Sequence, residues 1–517
     1  MEHVLAAENV EDWKRAYGDL VMEVERLMRS RQEMEYSQLI QEEQQENDDF
    51  SARLQEILSN KYLEKNLKEW KERLSEPLWQ RRLEIFLKQM EIEQLNCHSY
   101  VTDLAEPLQE RLLKKKFLIG EEEFDTGAVF SVMIGNEKRD LRKTLFSLSN
   151  EFGHENEEML RRLIRERNRV ARDKGYEHFY EYAFKLTGSD LGQYHRGVSG
   201  LIETIRPVMY NWVARVKEKF GWEDLYYYDL MYVAFNFFKV DERLFPAAKM
   251  EAALADMFES LGLESKKMGI DFELKSIPFG GYCTAFSKDK IKLIVNKRDG
   301  FSAFLTGTHE AGHALYDHFS SDEYPELYRM KSVVGHEGMA ELFQAVSVQE
   351  DFLRKNFAVG EDVCQQIQEM NNLFDVIIIL YNYMLSLIEF RMYENPEQDF
   401  QALSNACYHE VFGLKGEGPH PAKEMFFVSF PVYIQDYIFA CGIRDMIHEH
   451  FGIRGMYGQA EIFEKVKEVY MHPSERYTWL EKVETLCGKK FSFEYLEKHL
   501  CKGKEPSIDI CSTVKRD

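Results

Sequence analysis

His309-Glu310-Ala311-Gly312-His313, followed downstream by His336-Glu337, is the stretch on which the reading of this chain turns. Residues four apart lie on one face of a helix, so His309 and His313 can grip a single metal ion. Glu310, between them, is placed to take a proton from an attacking water. Glu337 follows far enough along for a turn and a second helix to return it as a third ligand. Two histidines and a glutamate with a fourth position open form a catalytic zinc pattern, one Zn2+ per chain. The chemistry expected from it is that of a zinc peptidase.

The five-residue pattern alone is a weak signal, and its surroundings strengthen it. Apolar residues recur at helical spacing through Phe301, Phe304, Leu305, Leu315, Tyr316 and Phe319. Asp299-Gly300 is a turn signal before them and Ser320-Ser321-Asp322 a break after, so a helix is predicted over 301–319. A surface helix with merely polar histidines is the competing reading. Ala311, Gly312 and Ala314 oppose it, because small residues favour close packing. A second helix is predicted over 333–348, with Glu337 and Glu341 on one face. Glu337 is the first choice as third ligand and Glu341 competes for that place. If Glu337 ligates, Glu341 is free to accept a hydrogen bond from a ligand histidine. His336 is read as structural.

The chain has 517 residues, enough for a large core and more than one lobe. It is 44% hydrophobic and 30% charged, a globular balance. A net charge of −23 argues against nucleic acid and against an anionic membrane surface. No apolar run is read as approaching the length of a membrane span, and the N-terminus, charged from its second residue, is not a secretory signal. The eight cysteines are scattered without a CxxC pair, as expected of reduced thiols in a cytoplasmic protein. Only 12 prolines and many amphipathic stretches predict a mainly α fold. Residues 1–190 are expected to form an N-terminal helical lobe and 191–517 a catalytic helical lobe, both parts of one continuous fold.

Residues 1–120 read as successive helices rich in Glu, Gln, Lys and Arg, with Gln41–Asp49 as a solvated face and Lys114-Lys115-Lys116 as surface. A helix is predicted over 155–174, stopped by Gly175, and the aromatics Tyr176, Phe179, Tyr180, Tyr182 and Phe184 after it are assigned to core. Residues 276–299 differ from everything else. Gly280-Gly281 opens an extended run from Tyr282 to Phe286, a polar turn follows, and Ile291–Asn296 is β-branched, which predicts a β-hairpin over 280–296 leading into the metal helix. An edge strand there can pair with the main chain of an extended peptide through Gly281, Tyr282, Cys283, Thr284 and Ala285. A purely structural hairpin is the other reading.

GGYCTAF, then a strand, then THEAGHALYD and GHEGMAELF together resemble the thimet oligopeptidase and oligoendopeptidase F family of gluzincins. They are also similar to the related angiotensin-converting enzyme and Taq-type carboxypeptidases. LRRLIRERNRVARDKGYEHFYEYAF is like the N-terminal lobes of these enzymes. The resemblance implies a two-lobed helical ellipsoid cut by a deep substrate channel, with a small β-hairpin or sheet beside the zinc. It implies hydrolysis of short unstructured oligopeptides; the chain is expected to act as a monomer or homodimer. It makes His309, His313 and Glu337 the ligands, Glu310 the general base and Glu341 the acidic residue behind the metal. Tyr433, with Tyr437 second, would stand over the scissile carbonyl. Where oligoendopeptidase F has its histidine, about five residues before the proline, this chain has Phe426. His420, at a spacing similar to that of the Taq-type enzymes, is the candidate to replace it.

Two other readings stand beside this one. A carboxypeptidase or peptidyl-dipeptidase would need a cation for the free terminal carboxylate, and Lys423 and Arg444 are the candidates. A non-catalytic peptide-binding helical scaffold is favoured by Phe426 and opposed by Glu310.

Overall fold

The computed structural model describes residues 1–40, 49–277 and 279–501. Most of Gln41–Asp49, read above as a solvated helix face, lies outside these residues, as do Pro278 and Cys511. The fold is mainly α with two small sheets. Six helices position the site: α1 (Val10–Ile40), α2 (Arg139–Asp173), α3 (Phe301–Phe319), α4 (Val333–Gln344), α5 (Glu361–Glu394) and α6 (Gln435–Phe451). The main apolar core extends from Tyr100 to Leu500. A second gathers Val4 to Met90 around the stacked rings of Trp13, Tyr17 and Trp70.

Helix α5 corrects the expectation about apolar runs. It is long and apolar enough to span a membrane by composition, with a mean hydropathy of 1.7 over its most apolar window. That window is 72% buried inside the protein. A helix that is hydrophobic all round needs covering on every side, and here α6, Leu191–Phe220, Tyr227–Asn236 and Phe400–Phe412 supply the cover.

The helix read over 155–174 is the second half of α2, which begins at Arg139. The first half escapes a search for an apolar stripe because it buries polar groups: Arg142, Ser149, Asn150 and Asn156 all face inward. The run of helices expected up to residue 120 breaks at Lys116. There β1 (Lys116–Ile119) and β2 (Glu122–Asp125) form an antiparallel hairpin around Gly120.

The second sheet has the order β3-β5-β4, from β3 (Ile270–Lys275), β4 (Gly281–Ser287) and β5 (Lys290–Asn296). β4 pairs with β5 as an antiparallel hairpin, Cys283 opposite Leu293, while β3 joins β5 in parallel. This leaves β4 at an edge. β5 is the central strand, with Ile291, Leu293, Ile294 and Val295 buried, and both β4 and β5 pack on α3. Helix α4 packs between α3 and α6. The approach of α3 to α4 is set by Gly312: a Cβ there would lie 2.7 Å from Ala340 Cα and from the Met339 carbonyl oxygen. Any side chain at 312 would push the two helices apart, and with them His309, His313 and Glu337.

Candidate metal centre

His309 and His313 lie one turn apart on α3, and Glu337 faces them from α4. Glu337 Oε2 is 3.4 Å from His309 Nε2 and 3.6 Å from His313 Nε2. Ligands about 2.0–2.1 Å from a tetrahedral ion are separated by roughly 3.3–3.4 Å, the edge of the tetrahedron. Glu337 Oε2 and His313 Nδ1 are buried atoms with no hydrogen-bond partner among the described residues, and a buried carboxylate oxygen in that state lacks the compensation that polar burial requires. An ion between the three side chains would supply it to Glu337. The donor set, two imidazoles and a carboxylate, suits zinc.

The electrostatics of the three groups are coupled. Burial alone would raise the Glu337 pKa, but the imidazoles of His313 and His309 beside it outweigh burial and hold the carboxyl at about 2. Burial disfavours protonated His309, yet Glu337 overcomes it and lifts the imidazole to about 9. His313 goes the other way: burial, then the neighbouring His336, push it well below its ordinary value. The His336 ring stacks on His313 at 4.2 Å between centroids, and its Nε2 lies 3.3 Å from Asp317. Asp317 is also paired with Lys331 at 2.7 Å. Burial would lift the Asp317 pKa, but Lys331 and then His336 hold this carboxyl well below the usual range. His336 thus buttresses the ligand rather than joining it.

The expected role of Glu341 is corrected. Its carboxylate is bound to Arg444 Nη1 at 3.0 Å, not to a ligand histidine. The partner of His309 Nδ1 is Gln344 Oε1, at 3.1 Å. The amide oxygen can only accept, so Nδ1 carries a proton and donates it to Gln344. Gln344 follows Glu337 by two helical turns and shares its face, a positional signal that was present in the sequence.

Glu310 lies against the start of β4. A Cβ on Gly281 would stand 2.7 Å from Glu310 Cγ and 2.7 Å from Thr306 Cγ2, so the strand passes the carboxyl with room for nothing larger than glycine. Burial raises the Glu310 pKa to about 7. Along β4, the Ala285 carbonyl accepts from Arg329 Nη1 at 2.8 Å, and the Phe286 carbonyl also accepts from Arg329. Thr284 Oγ1 accepts from Gln32 Nε2 of α1 at 2.7 Å. Arg329 thus occupies the Ala285 carbonyl of the expected substrate strand, and Gly281 is the residue of that strand that meets Glu310.

Tyr433 donates its hydroxyl to Glu337 Oε1 at 3.3 Å, and the Tyr437 ring stands 5.5 Å from the Tyr433 ring. Burial raises both phenols above their ordinary pKa, which keeps them protonated as donors. His420 is elsewhere. It is 0% exposed, and a Cβ on Gly153 of α2 would lie 2.5 Å from its ring, so it is packed hard on that helix. Its Nδ1 accepts the Ala422 N–H at 3.1 Å, which leaves the proton on Nε2, 3.1 Å from Glu157. His154, Glu157 and His420 resemble a second ligand group, but that tautomer points a proton rather than a lone pair at its centre, and Glu157 is also paired with Arg161. Phe426 is 39% exposed, with its ring 6.2 Å from Phe430. The two candidate carboxylate anchors are already paired, Lys423 with Glu424 at 3.1 Å and Arg444 with Glu341, Asp375 and Asp445.

No family model and no curated protein matches the sequence. Solved structures do match the fold. Trypanosoma cruzi metallocarboxypeptidase 1 is 13% identical with a TM-score of 0.65, covering 93% of this chain and 98% of its own. PZ peptidase A with an inhibitor is 16% identical with a TM-score of 0.67, covering 96% and 93%. A structure described as CHT is 12% identical with a TM-score of 0.67, covering 94% and 98%. At these identities the likeness is one of fold, extending over nearly the whole chain, and two of the three are peptidases by name.

Proposed function

We propose that the protein is a zinc-dependent metallopeptidase that hydrolyses short, unstructured oligopeptides in the cytoplasm. The observation that carries this reading is the convergence of His309 Nε2, His313 Nε2 and Glu337 Oε2 beside Glu310, which abuts an edge strand. Zinc held by those three side chains would polarise the scissile carbonyl and make an attacking water more acidic. The main chain of Gly281 to Thr284 pairs with an extended substrate and lays its peptide bond across the site. Glu310 takes the proton of the attacking water and delivers it to the leaving amine. The Tyr433 hydroxyl turns from Glu337 to the developing oxyanion, with Tyr437 beside it. His420 has no part in this scheme, because its Nε2 proton is directed at Glu157.

A quenched-fluorescent oligopeptide, with products mapped by mass spectrometry, tests the reading. Wild type should cut it, chelator should abolish the cutting, and Glu310→Gln should keep its zinc while losing activity. His309→Ala should lose the metal itself. Near wild-type turnover by Glu310→Gln would end the assignment of the base. A carboxypeptidase or peptidyl-dipeptidase is the second reading, prompted by the likeness to the trypanosomal enzyme. It predicts that amidated peptides resist cleavage, whereas an endopeptidase cuts free and amidated peptides alike.

A further inference from the structure

Val432 has φ +58°. A β-branched residue in the left-handed region is strained, since its Cβ crowds the backbone, and such strain persists only where surrounding structure over-determines it. Here the surroundings are on view. The Val432 N–H donates to Glu389 Oε1 of α5 at 2.9 Å, and its carbonyl accepts from Gln435 Nε2 at 2.6 Å. Just upstream, Arg167 of α2 holds the carbonyls of Phe427 and Val428 at 2.7 and 2.6 Å. The residue after Val432 is Tyr433, whose hydroxyl reaches Glu337.

Glu389 is 1% exposed, in the core of the molecule on a helix otherwise dominated by apolar residues. An apolar side chain would serve packing better there, because an isolated buried carboxyl is costly unless it makes a needed hydrogen bond. The bond it makes is to the strained residue beside the tyrosine. We propose that Glu389 is a positioning residue, which holds Val432 in its left-handed conformation and so aims the Tyr433 hydroxyl at the metal-ligand cluster. Without the acceptor, Val432 relaxes to negative φ, and the change in backbone direction swings Tyr433 away from Glu337. This inference rests on the peptidase reading for its kinetic consequence, but its structural content stands apart from it.

Two measurements separate the proposal from that reading. Crystal structures of wild type and Glu389→Ala report the loop directly, whether or not the protein cuts peptides. The Ala variant should show Val432 at negative φ and the Tyr433–Glu337 hydrogen bond broken. Retention of both features in Glu389→Ala overturns the proposal. The second measurement is a kinetic cycle of Glu389→Ala, Tyr433→Phe and the double variant. Tyr433→Phe should lower kcat by about 10²–10³-fold. Glu389→Ala should lower kcat at least tenfold with KM little changed, and should add nothing once Tyr433 is Phe, because the two act as a unit. Glu389→Gln should restore most of the rate, since the amide oxygen can accept the same N–H. Equal losses from Glu389→Ala in both backgrounds would make Glu389 merely structural. If Glu389→Ala does not fold, Glu389→Leu, which keeps the volume and removes the acceptor, carries the same tests.

Discussion

Gly281→Ala probes the relation between the edge strand and the base. The added methyl would lie 2.7 Å from Glu310 Cγ, 2.9 Å from Glu310 Oε1 and 2.7 Å from Thr306 Cγ2. Carbon atoms pack at about 3.5–4.0 Å, so roughly 1 Å must be found. Thr306 cannot readily yield it: its side chain is β-branched and its hydroxyl is bonded to the Ser302 carbonyl at 3.1 Å. Glu310 moves instead, and a misplacement of about 1 Å at a reacting group costs on the order of 10²-fold in rate. The overpacking itself should destabilise by about 1–3 kcal/mol. Gly280→Ala is the control, because its nearest contact, Thr306 Oγ1, would be at 3.3 Å. The assay is kcat and KM on a quenched peptide, with zinc content measured alongside. The expectation is a loss of about a hundredfold in kcat for Gly281→Ala at full zinc occupancy, and a small loss for Gly280→Ala. Equal and near wild-type rates for the two variants would refute the claim that the strand positions Glu310.

Two further outcomes follow from the same geometry. Gln344→Leu removes the acceptor for His309 Nδ1 while conserving bulk, and should weaken zinc binding by about 10–100-fold in a chelator competition; an unchanged affinity would return the role to another group. Glu389 offers a test through pH, since burial lifts its pKa to about 8 against the opposing Val432 N–H and Arg167. An unfolded glutamate releases its proton near 4.3, so between these values the folded chain holds a proton that the unfolded chain has lost, and stability falls as pH rises. Wild type should lose Tm relative to Glu389→Gln between about pH 5 and pH 8, by an amount worth up to a few kcal/mol; a constant difference across that range would mean that Glu389 ionises normally.

What the sequence made legible was whatever is local. The period of apolar residues around small ones delimits α3, and the turn before Lys290 delimits the β4–β5 hairpin, because in each case the partners are near neighbours. β3 was hidden because it joins β5 in parallel across the intervening β4, and parallel pairing leaves no turn signal. β1 and β2 were hidden by the charged residues of a short exposed hairpin. Glu341 and Gln344 share a face with Glu337, so helical spacing could name the candidates for the His309 partner but could not choose between them. That choice is made by Arg444, which arrives from a hundred residues away and claims Glu341.

His420 shows the same limit from the other side. Its spacing in the chain made it a candidate oxyanion donor, yet the function of an imidazole depends on where its proton points, and that is decided by the Ala422 N–H and by Glu157 of α2. With this ring committed to the core and Phe426 unable to donate, Tyr433 donates to Glu337 and Tyr437 stands beside it. On the proposed peptidase reading, the aim of Tyr433 gives a reason for the strain at Val432 and for the core carboxyl of Glu389. A site that relies on few oxyanion donors depends steeply on their aim, because a donor is effective only within about 2.7–3.1 Å of the oxygen it must stabilise.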